Sequence, residues 1–334
     1  MNPDRVRAAA ALLAAAQDVT LLAHVRPDAD SLGSALALGI ALHRRGVRVR
    51  VSFATPERMP ESLQMLDVHA LFVPPGMVPR APEVLVACDA AEPARLGVLA
   101  DRLDTAGATI MIDHHASNPG FGDVQLLDPA AEATVMVVRE LLATMRVPLD
   151  ADVARCLYAG LVTDTSNFRT AGEAAHRLAA DLIAAGVDAQ DLVQPLMYTH
   201  PYRWLGALGE MLQRAVLEPA EAGGLGLVHT VIPTADVDRF RSEDLDSVID
   251  MVSTTAEAEV AAVLRQTADD RWVTSLRSTG RIDVAVAAAR LGGGGHPAAS
   301  GFSWEGSHGE LLDALRAALT AGAGVSGSSG SLAG

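Results

Sequence analysis

The sequence predicts an α/β protein: an N-terminal domain built on a doubly wound, largely parallel sheet, followed by a smaller C-terminal α/β domain. Three observations carry that reading. Short apolar runs alternate with helical patterns through residues 1–188, as strands joined by crossover helices do. From residue 223 the alternation gives way to longer strand-like runs around a hairpin. With 334 residues and 49% apolar content, the chain is long enough for two cores and too apolar to be disordered.

Each element has its own signal. Segment 7–17, RAAAALLAAAQ, has a basic start and an apolar middle, as a weak signal peptide would. Asp4 precedes it and a strand follows at once, so it is read as a first helix packed on the sheet, in a cytoplasmic protein. Strands are expected at 19–25, 47–54, 84–90 and 109–115, and helices at 31–46, 133–145, 151–164 and 174–188. The first of these helices shows one apolar face and ends in a glycine. Residues 189–222 read as a helical connector carrying a helix over 204–217. The second domain, 223–320, opens with a strand at 224–232 and contains the hairpin 258–266/271–278 across TADD. The tail 321–334, rich in Gly and Ser, reads as disordered.

Composition excludes several functions. All 26 basic residues are arginine, which removes Schiff-base and phosphate-loop lysines. The net charge of −15 argues against binding long duplex nucleic acid, which needs a basic footprint. No apolar run approaches the ~18 residues of a membrane span, so no membrane partner is expected. Two cysteines, Cys88 and Cys156, imply no disulfide framework.

The strand ends are the informative positions. Strand 19–25 runs into HVRPDADSLGS, with His24, Asp28 and Asp30. Strand 84–90 delivers Asp89, strand 109–115 delivers Asp113, His114 and His115, and helix 151–164 ends in Asp164. In doubly wound sheets, ligands sit beyond the carboxyl ends of the strands. One Asp after a strand is usually a helix N-cap, and two adjacent histidines alone make a solvated corner. Four apolar elements ending this way is a different matter, because gathering carboxylates costs several kcal/mol unless cations compensate. Carboxylates and imidazoles without thiolates suit divalent ions such as Mn²⁺ or Mg²⁺ better than structural zinc. The other histidines, His43, His69, His176, His200, His229 and His308, read as surface or packing residues.

The set HVRPDADSLGS, VACDA, IDHHASN and LVTDTSNFR, spanning residues 18–170, resembles the DHH phosphoesterase family. The resemblance implies two divalent ions, with Mn²⁺ the first expectation and Mg²⁺ or Co²⁺ the alternatives. It implies that His24 and Asp28 bind one metal, that Asp30, His114 and Asp164 bind the other, and that Asp89 bridges both. It further implies that His115 touches the scissile phosphate and that Asp113 orients an imidazole, the two forming the catalytic pair. Downstream, SLRS (275–278) and ARLGGGGHPAASGF (289–302) resemble the DHH-associated domain with its GGGH motif. Glycines there allow a backbone to approach a ligand closely and offer N–H groups to phosphate. By that resemblance Arg277 and His296 grip the nucleotide, with Ser278, Gly293, Gly294 and Gly295 as further contacts.

The implied enzyme is a phosphodiesterase or phosphatase whose active site lies in the cleft between the two domains. It would hydrolyse nanoRNA, linear or cyclic dinucleotides, or 3′-phosphoadenosine-5′-phosphate, through water activated between two metals about 3.5–4 Å apart. A homodimer is also implied. Alternatives are a RecJ-type single-strand exonuclease, an inorganic pyrophosphatase, and a nucleotide sensor that does not cleave.

Overall fold

The computed structural model describes residues 1–237 and 239–322, so residues 323–334 of the expected disordered tail lie outside the described residues. The chain divides into two compact units, Met1–Thr199 and a second that starts at His200.

The first unit holds α1 (Pro3–Ala15), β1 (Asp18–Ala23), α2 (Ala29–His43), β2 (Arg48–Ser52), β3 (Val84–Cys88) and β4 (Ala108–Asp113). It continues with β5 (Val124–Leu127), α3 (Thr134–Thr144), α4 (Ala151–Asp164), α5 (Glu173–Ala184) and α6 (Ala189–Met197). Its five strands are ordered β2-β1-β3-β4-β5 and every pairing is parallel. β3, VLVAC, is buried at all its residues, which is why it reads as a continuous apolar run and not an alternation. β5 was not foreseen, because VQLL is only four residues long and just one of them is buried. The links before and after β3 contain 3₁₀ turns, Glu61–Leu66, Pro75–Met77 and Pro93–Arg102, segments that carry no helix signal in the sequence.

α2 is buried from Ala29 to Leu42, and two glycines set how closely α4 approaches it. A Cβ on Gly33 would lie 2.5 Å from the Cys156 carbonyl oxygen, and one on Gly160 would lie 2.9 Å from the Cα of Asp30. The helices therefore touch backbone to backbone, running in opposite directions, with the start of α2 beside the end of α4. That contact brings Asp30 and Asp164 to one place.

The second unit begins with α7 (Arg203–Gln213) and adds β6 (Val216–Glu218), β7 (Leu227–Ile232), β8 (Val260–Ala268), β9 (Arg271–Ser278), β10 (Gly294–His296) and β11 (Ala299–Glu305). The strand order is β10-β11-β9-β8-β7-β6. Only β7 and β8 pair in parallel among the described strands of this sheet. Alternate residues of β8 serve two cores: Val260, Ala262 and Leu264 join the layer beneath helices Val284–Arg290 and His308–Gly322, while Ala261 and Val263 join Trp204, Val248 and Ile249. The hairpin stands where it was expected, as β8 and β9. The expected connector 189–222 is split: Leu192 of α6 packs into the first unit's core, and Trp204, Ala207 and Met211 of α7 pack into the second. Apolar spacing marked α7 within 204–217 but not α6, and could not say which core each would choose. Among the described residues no helix is long and apolar enough to cross a membrane.

The glycine contact leads to a prediction. Gly160→Ala should destabilise by about 1–3 kcal/mol through overpacking and weaken divalent-metal binding, because the new methyl meets the backbone of Asp30. Gly209→Ala, in the middle of α7 with open space at its Cβ position, should instead be neutral or stabilising by up to about 1 kcal/mol. Urea unfolding with a metal titration checks both. A Gly160 variant as stable as wild type would remove the steric account.

Candidate metal centre

His24 follows β1 directly, and Asp28 is the N-cap of α2. Asp28 meets the plain expectation and the functional one together. Its Oδ1 accepts from Ser31 N–H at 2.8 Å, closing a capping box, while its Oδ2 stands 3.3 Å from His24 Nε2. Asp30 is fully buried, and α3 supplies its partners: Thr134 N–H and Val135 N–H donate to Oδ2 and Oδ1 at 2.7 and 2.9 Å. The N-cap of α3 is Ala133, which has no side-chain oxygen, so the carboxylate of Asp30 caps that helix from α2 and takes the favourable end of its dipole.

Asp89 leaves β3 in the left-handed region, at φ +58, which aspartate tolerates better than most residues. Its Oδ1 accepts from Thr134 Oγ1 at 2.8 Å. That same oxygen is 3.7 Å from His114 Nε2 and 3.6 Å from His115 Nδ1, while Oδ2 is 3.5 Å from His24 Nε2. One carboxylate thus faces imidazoles on both sides. Donor atoms of His24, Asp28 and Asp89 lie within 4.8 Å of one another, as do those of Asp30, Asp89 and His114, and of Asp89, Asp113 and His115. Asp164 Oδ2 approaches His114 Nε2 at 3.2 Å. The structure therefore gathers every first-domain residue singled out from the sequence.

The imidazoles divide into two kinds. His24 Nδ1 lies 2.9 Å from the Val25 carbonyl and His114 Nδ1 lies 3.1 Å from the Ala131 carbonyl, so the hydrogen-bond network assigns the proton to Nδ1 in both. Their Nε2 atoms face carboxylates, as metal-ligating histidines fixed by an outer partner do. His115 is tied differently. Its Nδ1 bonds Asp113 Oδ1 at 2.8 Å, and Asp113 Oδ2 accepts from Asn118 Nδ2 at 2.6 Å.

Electrostatics agree with a site built for cations. Burial, followed by repulsion from Asp89 and the other carboxylates, holds Asp30 and Asp164 well above the ordinary carboxylate range. Burial also disfavours a charged His24 or His115, yet neighbouring carboxylates outweigh it and raise them to about 10 and about 9. Asp89 is held low, against burial, by the three histidines around it. Without metal the cluster borrows protons for positive charge, and divalent ions fit the same demand. Cys88 takes no part: it is fully buried and its thiol is pushed up by burial and by the adjacent carboxylates.

In the second unit, strand register does what sequence could not show. Arg277 on β9 pairs with Ala299 on β11, which pairs with His296 on β10. Directly paired residues share a face, so Arg277 and His296 flank the small Ala299 on one side of the sheet. The glycine run is built into this edge. Gly292 turns the chain at φ +80, a Cβ on Gly293 would lie 2.1 Å from the Gly301 carbonyl oxygen, and Gly295 sits at φ +136 against Ala299 and Ser300. Gly294 lies in β10 itself. Ser278 Oγ is engaged internally, 2.9 Å from Glu259 Oε1 and 2.6 Å from the Ile282 carbonyl oxygen.

Comparison with known proteins agrees with both halves. Residues 18–161 match the DHH family, N-terminal domain, and residues 227–321 match the DHHA1 domain. The bifunctional oligoribonuclease and PAP phosphatase NrnA of Thermus thermophilus is 32% identical over 95% of this chain and 95% of its own length. The chain belongs to the DHH family. The cyclic-di-AMP phosphodiesterase GdpP of Geobacillus thermodenitrificans is 28% identical over 85% of this chain and 44% of its own length. An exopolyphosphatase-related protein from Bacteroides fragilis shares the fold, with a TM-score of 0.82 at 21% identity, covering 95% of this chain and 96% of that one.

Two residues of this DHH site escaped sequence reasoning. Asn118 lies within the IDHHASN motif, yet nothing marked it as the partner of Asp113. Thr134, in EATVM, carries no motif signal, because its role comes from where α3 starts. A prediction separates the two kinds of histidine. His114→Ala should weaken metal binding, whereas His115→Ala and Asn118→Ala should keep it while lowering rate, the latter about tenfold as outer-shell losses typically do. Calorimetric metal titration with initial rates checks this, and equal metal loss in the His114 and His115 variants would contradict it.

Proposed function

We propose that the chain is a metal-dependent phosphoesterase of short nucleotides, hydrolysing nanoRNA and linear or cyclic dinucleotides to 5′-mononucleotides and 3′-phosphoadenosine-5′-phosphate to AMP. The observation that carries this reading is Asp89, one carboxylate facing His24 through Oδ2 and His114 and His115 through Oδ1. Such a shared ligand suits two adjacent ions. His24, Asp28 and Asp89 would hold one, and Asp30, Asp89, His114 and Asp164 the other, with Mn²⁺ preferred over Mg²⁺ or Co²⁺. Bound there, the ions supply Lewis acidity at the phosphoryl group and lower the pKa of water.

The chain's own residues supply the rest. Asp113 fixes the ring of His115 through Nδ1, so His115 can hold a proton against a phosphate oxygen as charge develops there. Arg277 and His296, with the N–H groups of Gly294 and Gly295, would hold the nucleotide or its terminal phosphate. Ser278 Oγ and the Gly293 N–H, which donates to the Ala288 carbonyl at 2.8 Å, are already engaged and drop out of the expected contacts. The named activities of NrnA and GdpP support this substrate class, and the acidic chain without lysine is poorly suited to long strands.

The test is a hydrolysis panel of a linear dinucleotide, cyclic di-AMP, 3′-phosphoadenosine-5′-phosphate, pyrophosphate and long single-stranded DNA, with Mn²⁺ and after exhaustive chelation. The short nucleotides should be cleaved with metal and not without it. Turnover in chelated enzyme, or a preference for pyrophosphate, would refute the reading.

A further inference from the structure

Glu259, the residue before β8, is 6% exposed, and its side-chain partners come from one short stretch. Oε1 accepts from Ser278 Oγ at 2.9 Å, Arg281 N–H at 2.6 Å and Ile282 N–H at 3.2 Å, and Oε2 accepts from Thr279 Oγ1. The Glu259 carbonyl also accepts from Thr279 N–H at 3.1 Å. This stretch is the end of β9 and the turn that follows it, beginning with Ser278 next to Arg277 and including Gly280 at φ +116. Burial alone would push the Glu259 carboxyl up; the donors, Thr279 foremost, outweigh it and keep the group below the usual carboxylate range. An anion is therefore held inside this turn by the turn's own donors.

The turn is tied onward to the GGGH segment. Ser278 N–H donates to the Ala298 carbonyl and Val284 N–H to the Pro297 carbonyl, each at 3.0 Å. Pro297 and Ala298 form the tight connection between β10 and β11, right after His296. Hydrogen bonds thus run from Glu259 through residues 278–284 to the connection that orients His296, with Arg277 at the turn's other end.

We propose that Glu259 is a positioning residue for nucleotide recognition, holding Arg277 and His296 in their shared row without touching substrate itself. This rests on the reading of those two residues as nucleotide contacts. Removing the carboxylate leaves the Thr279 hydroxyl and two N–H groups without this acceptor, one of them on Ile282, which is 1% exposed, while Ser278 Oγ keeps the Ile282 carbonyl. Orphaned buried donors drive local rearrangement, and here the rearranged segment is the one that fixes both substrate-gripping side chains. Glutamine keeps one acceptor oxygen, whose two lone pairs serve the Arg281 and Ile282 N–H groups, and should largely substitute.

The test compares kcat and KM on a linear dinucleotide and on bis(p-nitrophenyl) phosphate, with Mn²⁺, for wild type, Glu259→Ala, Glu259→Gln and Arg277→Ala. Glu259→Ala should raise KM for the dinucleotide about tenfold, the scale of losing such contacts, with a much smaller change in kcat. Its ratio of kcat/KM between the two substrates should fall in parallel with that of Arg277→Ala, and Glu259→Gln should restore most of it. Should the alanine variant not fold, Thr279→Val takes its place; a fall in the ratio of about two- to fivefold supports the proposal. An unchanged ratio in either folded variant, or equal losses on both substrates, overturns it. A selective loss in Arg277→Ala without one in Glu259→Ala sinks this inference alone, whereas a wild type inert on the dinucleotide sinks the functional reading and the inference with it.

Discussion

Like charges buried together are the constraint on which the first unit depends. Asp30 and Asp89 are almost wholly removed from solvent, and Asp28 and Asp164 stand at the same sheet edge. Such a cluster is tolerable only where oriented donors and cations answer each charge. The start of α3 answers Asp30 with two N–H groups and Asp89 with the hydroxyl of Thr134. The imidazoles of His24, His114 and His115 answer Asp89 from two sides. Divalent metal would meet the rest of the requirement at the ligand groups that the cluster brings together.

That constraint also explains why the scaffold has its shape. Parallel strands deliver their carboxyl ends to one edge, which accounts for His24, Asp89 and the Asp113–His115 triplet arriving together. Asp164 comes from a helix, and it reaches the edge because Gly33 and Gly160 let α2 and α4 meet backbone to backbone. Substitution at Gly33 acts on the site through helix spacing, whereas a Cβ on Gly160 would also lie 2.7 Å from Asp30 Oδ1 and press on that carboxylate directly.

Much of this was legible in the sequence because the ligands sit where apolar patterns end. Strand tips at Asp89 and Asp113 announce themselves by contrast with VLVAC and TIMI, and the hairpin 258–278 by alternation around a polar turn. What could not be read depends on partners distant in the chain. Asp30 and Thr134 are 104 residues apart, and no local pattern foretells that a carboxylate on α2 caps α3. The division of 189–222 between two cores, and the short β5, failed for the same reason: tertiary packing decided them. The glycine run was read for its approach to a ligand, whereas its strand register also demands Gly293 and Gly295 for packing against β11.

The claim at the centre is that Asp89 serves two ions at once, and metal stoichiometry tests it most directly. Mn²⁺ bound per chain should be counted by equilibrium dialysis with elemental analysis for wild type, Asp28→Asn and Asp89→Asn, each checked for folding by circular dichroism. The account predicts two ions in wild type, loss centred on one of them in Asp28→Asn, and concerted loss of both in Asp89→Asn. Retention of one ion at wild-type affinity in Asp89→Asn would contradict it.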